Sequence, residues 1–212
     1  MKIISIDPYK DYSEAILEAV EVLNKGGVVV YPTDTVYCLG ANACEARAVE
    51  QVFKIKNRPL SKPIPIIARN MKWVKELAFI PEKLEAKLDY IWPGSTTIIL
   101  PKRDVVPSVV TAGNQNVGMR IPDFLFVDKL LGKFGYPLTA TSANVSGWEL
   151  RNNPAVIAED FKGKIWKPDL ILDVGVLPPS RPATILDLST IKPKILRVGP
   201  SKPQQLMKLL EI

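Results

Sequence analysis

Nine residues, Lys54 to Lys62 (KIKNRPLSK), set four positive charges close together, on Lys54, Lys56, Arg58 and Lys62, with no acid among them. Pro59 stops any helix running into this run, so an anion is expected there. A solvated charge run is the ordinary explanation of such a peptide. Four further stretches weigh against it: YPTDTVYCLG (Tyr31 to Gly40), WPGSTT (Trp92 to Thr97), VGMRIP (Val117 to Pro122) and TSANVSG (Thr141 to Gly147). Each is a polar turn bearing Gly or Pro at the end of an apolar, strand-like run. Turns at strand ends are where open α/β sheets build ligand sites. Lys56, Arg58 and Lys62 can supply point charges and a planar fork, while Ser142, Asn144 and Ser146 can supply neutral donors. Arg120 is a further candidate ligand-binding charge. Thr33, Asp34 and Thr35 bring hydroxyls and a carboxylate to a strand terminus and are expected to turn outward.

Other chemistries are closed by composition. Neither of the two common Gly-rich phosphate cradles, G-x-x-x-x-G-K-[ST] or a helix-opening G-x-G-x-x-G, occurs. There is no histidine, so His-based acid/base work and His-containing metal sites are excluded, and Cys38 and Cys44 are the only cysteines, too few for a disulfide scaffold. A formal charge of +6 suits an anionic partner, a nucleotide, a nucleic acid or both. With 212 residues, 47% of them hydrophobic, the chain can bury a substantial core, and one domain over residues 1–212 is expected. Its apolar runs are far too short for a membrane span and MKIISIDPYKDYSE is not a secretory signal, which implies a cytoplasmic protein with no membrane partner.

The elements that must position these residues follow from periodicity. Ile16, Leu17, Val20 and Leu23 make a helical stripe over 13–25, with Ser13 as N-cap and Gly26 as stop. Helices are also expected over 46–55, 71–77, 81–90, 124–134, 155–161 and 204–210. Strands are expected over 28–31, 64–68, 96–100, 138–141, 170–173, 184–188 and 195–198, with a short one ending at Arg120. The stretch 101–116 reads as polar and mobile. Strands and helices mixed this irregularly imply an α/β fold with a twisted, open, mixed parallel and antiparallel sheet and flanking helices.

Taken in order, YPTDTVYCLG, KIKNRP with SKP, WPGSTTIIL, VGMRIPD and TSANVSG resemble the YrdC/Sua5 family of threonylcarbamoyl-AMP synthases, over about residues 10–199. The resemblance implies a YrdC-like twisted sheet with a concave basic cavity. It also implies an enzyme joining L-threonine, bicarbonate and ATP into threonylcarbamoyl-adenylate and pyrophosphate, for the t6A modification of tRNA position 37 by downstream threonylcarbamoyl-transfer machinery. The family's Lys, Arg, Ser, Asn tetrad is similar to Lys56, Arg58, Ser142 and Asn144. By the same resemblance Thr33, Thr35, Arg120, Ala140 and Thr184 would serve threonine, and Lys56, Arg58, Lys62, Ser142, Ser146 and Arg197 would serve ATP. The length suits the short form, without the additional C-terminal Sua5 domain. Three positions depart from the family pattern: Cys38 stands for a usual glycine, Ala183 for a serine before Thr184, and Val198 for the proline of Arg-Pro-Gly.

A site without histidine suits this reaction. If threonine's amine first takes up CO2 from bicarbonate, the carbamate is already an anionic nucleophile and needs no general base, and positioning with charge neutralisation suffices. No carboxylate cluster for Mg2+ stands out, so that ion is expected to be held mainly by the triphosphate. The rival reading is a binding module without synthase activity that grips double-stranded RNA or tRNA by its backbone. The hydroxyl set Thr33, Thr35, Ser142 and Ser146, which backbone gripping does not require, favours the enzyme.

Overall fold

Val28, Val29, Val30 and Tyr31 are all buried, and alternate residues enter different apolar clusters: Val28 and Val30 one, Val29 and Tyr31 the other. Side chains alternate across a strand, so this segment is covered on both faces, the arrangement of an α/β layer structure. The structure, a computed structural model, describes residues 1–190 and 192–211. Its elements begin with β1 (Lys2–Ser5), α1 (Ser13–Asn24), β2 (Val29–Tyr31), β3 (Cys38–Gly40), α2 (Ala46–Lys56), β4 (Ile66–Ile67), α3 (Met71–Leu77), α4 (Glu82–Leu88) and β5 (Thr96–Pro101). They continue with β6 (Asn116–Arg120), α5 (Leu125–Phe134), β7 (Leu138–Thr139), β8 (Thr141–Ser142), α6 (Pro154–Phe161), β9 (Leu170–Asp173), β10 (Thr184–Asp187), β11 (Lys194–Arg197) and α7 (Pro203–Leu210).

The strands form two mixed sheets, each a continuous run of hydrogen-bonded ladders. One runs β1-β9-β2-β3-β8, and the other runs β11-β10-β5-β6-β4-β7. In the first, β9 lies parallel to both β1 and β2, while β3 is antiparallel to β2 and β8. Helices α1 and α5 pack together over its Val29 and Tyr31 face through Ile16, Ala19, Leu23, Val127, Leu130 and Leu131. The larger cluster joins the opposite face to Val52 and Phe53 of α2, Ile98 of β5, Met119 of β6 and Phe161 of α6.

Local details depart from expectation for physical reasons. The N-cap of helix α1 is Tyr12 rather than Ser13, which is the first helical residue; its backbone N–H and hydroxyl donate to Asp11 Oδ1 at 3.0 and 2.6 Å. Strands β1 and β3 were not legible. β3 lies in what reads as a turn, and only its pairing with β2 and β8 makes it a strand. The stretch 101–116 is anchored rather than loose: Val106, Val110 and Thr111 are buried, and the Val110 carbonyl accepts from Ile64 N–H. The strand expected over 138–141 breaks at Ala140, whose N–H bonds the Pro65 carbonyl. β7 pairs with β4 in one ladder and β8 with β3 in the other, so the chain changes sheets there, directly before TSANVSG. No helix among the described residues is long and apolar enough to cross a membrane.

Candidate active site

Strands of both sheets line a cavity of about 390 Å3, a size suited to small-molecule ligands. The first sheet contributes Cys38, Thr141 and Ser142, with Thr33, Thr35 and Val36 from the loop between β2 and β3. The second contributes Ile67, Thr97, Ile99, Gly118, Arg120, Ile185, Leu196 and Arg197. Thr97 and Ile99 face inward two apart on β5, as do Gly118 and Arg120 on β6, the period-two rule at work. A Cβ on Gly118 would sit 3.2 Å from Thr97 Cγ2, so glycine keeps this wall open.

The inner end is buried and extensively hydrogen-bonded. Thr33, Thr35 and Arg120 are 2%, 4% and 5% exposed, so the two hydroxyl residues are buried instead of turned outward. Pro32 ends the β2 ladder, and the Thr33 hydroxyl then closes the turn: it donates to the Val36 carbonyl at 2.7 Å and accepts from the N–H groups of Thr35 and Val36. Arg120 donates from Nε to the Gly94 carbonyl (2.8 Å), from Nη1 to Thr35 Oγ1 (3.0 Å) and from Nη2 to Asp34. A guanidinium has five N–H groups, so one remains on each terminal nitrogen.

The rim is different. Arg58 is held by its own loop, donating to the carbonyls of Lys62 (3.1 Å) and Pro63 (2.9 Å), and burial lowers its pKa without discharging it. Arg197 donates to the Ala183 carbonyl at 2.9 Å. Among the described residues, neither arginine nor Lys62 is in a salt bridge.

Lys56, the last residue of α2, is 2% exposed and does not line the cavity. Its ammonium donates to the carbonyls of Ser142 (2.5 Å) and Asn144 (2.8 Å) and to Asn144 Oδ1 (3.1 Å). All three N–H groups are thereby used on TSANVSG, leaving none for a phosphate. Burial first, and the nearby Arg58 charge second, pull its pKa down to about 8, while three converging acceptors favour the charged form. Asn144 is equally committed, accepting from Ser142 Oγ at 2.7 Å and donating to the Trp148 carbonyl. The tetrad thus comes together, with Arg58 and Ser142 on the cavity and Lys56 and Asn144 behind it.

Lys62, Arg120, Ala140, Thr33, Thr35 and Arg197 also reach the cavity. Ser146 does not, although its Oγ is buried with no hydrogen-bond partner among the described residues. Thr184 does not either: it is fully buried, donating to the Ser201 carbonyl and accepting from Gly199 N–H. Of the departures, Cys38 lies in register with Ser142, and burial pushes its thiol up to about 11, so it stays neutral. Ala183 lines the cavity. Val198 is half exposed, whereas a Cβ on Gly199 would come within 2.2 Å of the Pro182 carbonyl oxygen, which explains why the glycine is kept where the proline is not. Sequence reasoning missed the walls Ile67, Thr97, Ile99 and Gly118, although strand alternation inward from Arg120 pointed to Gly118.

The structure is thus a mixed α/β protein in which Arg58, Lys62, Arg120 and Arg197 line one cavity shared by two sheets. The family model covering Sua5, YciO and YrdC proteins, described as "Telomere recombination", matches residues 21–199, and the chain belongs to that family. It is 36% identical to a threonylcarbamoyl-AMP synthase of Pyrococcus abyssi, over 89% of this chain and 55% of that one. To a putative threonylcarbamoyl-AMP synthase of Methanocaldococcus jannaschii it is 35% identical, over 89% of this chain and 86% of that one. The crystal structure of P. abyssi Sua5 complexed with L-threonine superposes with a TM-score of 0.92 at 34% identity, covering 99% of this chain and 61% of that one. The chain therefore spans little more than half the length of the P. abyssi relative.

Proposed function

We propose that this chain forms threonylcarbamoyl-AMP and pyrophosphate from L-threonine, bicarbonate and ATP, in the cytoplasm, and that its product passes to the machinery that installs t6A at position 37 of tRNA. One observation carries the reading. A single cavity offers a buried Arg120 with an N–H left on each terminal nitrogen, the fork a carboxylate takes, and three unpaired cations, Arg58, Lys62 and Arg197, at its rim. An amino acid fits the first and a triphosphate the second. The relative solved with L-threonine supports an amino acid as one of the ligands.

In this scheme threonine's amine adds to CO2 derived from bicarbonate and loses a proton. A carbamate oxygen then attacks the α-phosphorus in line, the bond to the bridging oxygen breaks, and pyrophosphate leaves. Ser142 is held toward the cavity by the Lys56 clamp, and Arg58 faces the charge that develops on the phosphates. No cluster of three or more His, Cys, Asp or Glu side chains able to hold a metal occurs among the described residues. Mg2+ supplied with ATP would be held mainly by the triphosphate, as that ion often is.

Gripping double-stranded RNA by its backbone calls for an array of outward-facing cations. Here the unpaired cations converge on a cavity, which favours the enzyme. Pyrophosphate release tests the reading: it is expected only with ATP, threonine, bicarbonate and Mg2+ together. Turnover after rigorous removal of bicarbonate rules out the carbamate route.

A further inference from the structure

Four cations line the cavity, and among the described residues only Arg120 carries a counter-charge. That counter-charge, Asp34, is not itself part of the wall: it pairs with Nη2 from outside the cavity, its side chain 16% exposed and that of Arg120 6%. It sits in the loop whose neighbouring Thr35 hydroxyl fixes Nη1, and the Gly94 carbonyl fixes Nε. The guanidinium is therefore held at three points in one orientation, and its charge is cancelled by the third.

We propose that Asp34 is the residue that determines which anion the inner end accepts. The proposal rests on the reading that an amino acid and a nucleotide share this cavity. A zwitterionic amino acid brings no net charge, and its two carboxylate oxygens match the two N–H groups left on Arg120. A phosphate group brings up to two negative charges to a pair that is already neutral, with the Asp34 charge behind the guanidinium opposing them. The inner end thus rejects phosphate, and the triphosphate is left to Arg58, Lys62 and Arg197. Without Asp34, a buried and uncompensated guanidinium would draw any anion, including the phosphates of a nucleotide bound the wrong way round. Asp34 acts through Arg120 and touches no substrate, so it is a positioning residue.

The test is calorimetric. Inorganic phosphate is titrated into the ATP-saturated protein, where the rim is occupied and only the inner end remains. Wild type is expected to take up no phosphate, and L-threonine should bind with the same Kd, within twofold, whether or not phosphate is present. The near-isosteric D34N keeps an oxygen for Nη2 but removes the charge. It is expected to bind phosphate in the presence of ATP, and that phosphate is expected to compete with L-threonine and raise its apparent Kd at least tenfold, with ATP affinity unchanged within twofold. D34E, which restores the charge, is expected to restore rejection of phosphate. Phosphate uptake by ATP-saturated wild type overturns the proposal, and this arm decides even if D34N does not fold. So does a D34N that discriminates like wild type, or one that weakens ATP and threonine equally while its melting temperature falls, the mark of a purely structural role. If wild type binds no threonine, the functional reading fails, yet the phosphate titrations of wild type and D34N still decide the role of Asp34.

Discussion

The inner end and the rim of the cavity are both cationic, but they are built on opposite plans. At the inner end Arg120 is buried, bonded at three points and neutralised; at the rim Arg58, Lys62 and Arg197 carry no counter-charge. The first arrangement is preorganised and selects by geometry. The second leaves free charge in higher dielectric, which suits a flexible polyanion. On the proposed function, the difference lets one cavity separate a zwitterionic amino acid from a polyanion without a wall between them, by deciding which cation has its charge already answered.

Mutations can break that contrast, and the largest effect is expected at the inner end. R120A removes one partner of a buried ion pair and leaves Asp34 uncompensated, which typically costs about 3–5 kcal/mol. Chemical denaturation should show that loss, and calorimetry should show no threonine binding in whatever fraction folds. Near-wild-type stability would mean the pair is not the anchor described. At the rim the cost should fall on turnover instead. R58A is expected to lose about 2–4 kcal/mol of transition-state stabilisation, roughly 30-fold to 1000-fold in kcat/KM. Its denaturation midpoint should move little, since Arg58 bonds only carbonyls of its own loop.

A third prediction uses Lys56, which holds TSANVSG from behind. Its folded pKa is lowered from 10.5 to about 8. Above about pH 8 the folded protein loses that proton and one of the three clamping N–H bonds, so a pH-rate profile should fall there, approaching tenfold per unit. Between about 8 and 10.5 the unfolded chain binds the extra proton, so the Lys56 contribution to stability rises with pH over this window. Activity should therefore decline while the denaturation midpoint holds or improves; a parallel decline would assign the pH effect to unfolding. The smallest effect is expected at Ala183, whose Cβ faces the cavity. Ser180 and Arg181 are exposed and do not line it, so neither offsets the missing hydroxyl. A183S should tighten ATP or threonine by roughly 2-fold to 12-fold, the worth of a neutral hydrogen bond of about 0.5–1.5 kcal/mol. S180A and R181A should bind both ligands like wild type.

Local signals made much of this legible. The apolar stripe placed α1, Pro154 placed the start of α6, and the short strand ending at Arg120 was read correctly because its turn residues follow at once. What could not be read is non-local. Asp34 and Arg120 lie 86 residues apart, as do Lys56 and the Ser142 carbonyl, and no periodicity links them. A lysine in a basic run gives no sign that three acceptors from a distant loop will use up its protons. The change of sheet at Ala140 is hidden for a related reason: Leu138 to Thr141 reads as one strand, and only the partners β4 and β3 divide it.

The order of the first sheet has a consequence for how the protein is made. β2 has β9 as its parallel neighbour, so its Val29 and Val30 are paired on that side only by Leu170 and Ile171. At a synthesis rate of about 5–20 residues per second, the ribosome needs roughly 7 to 28 seconds to travel from one to the other. During that interval the edge of β2 that β9 will cover is a strand edge without its partner, the kind of surface that invites mispairing between chains. Arg197 is later still, so the cavity gains its full set of cations only after β11 has emerged.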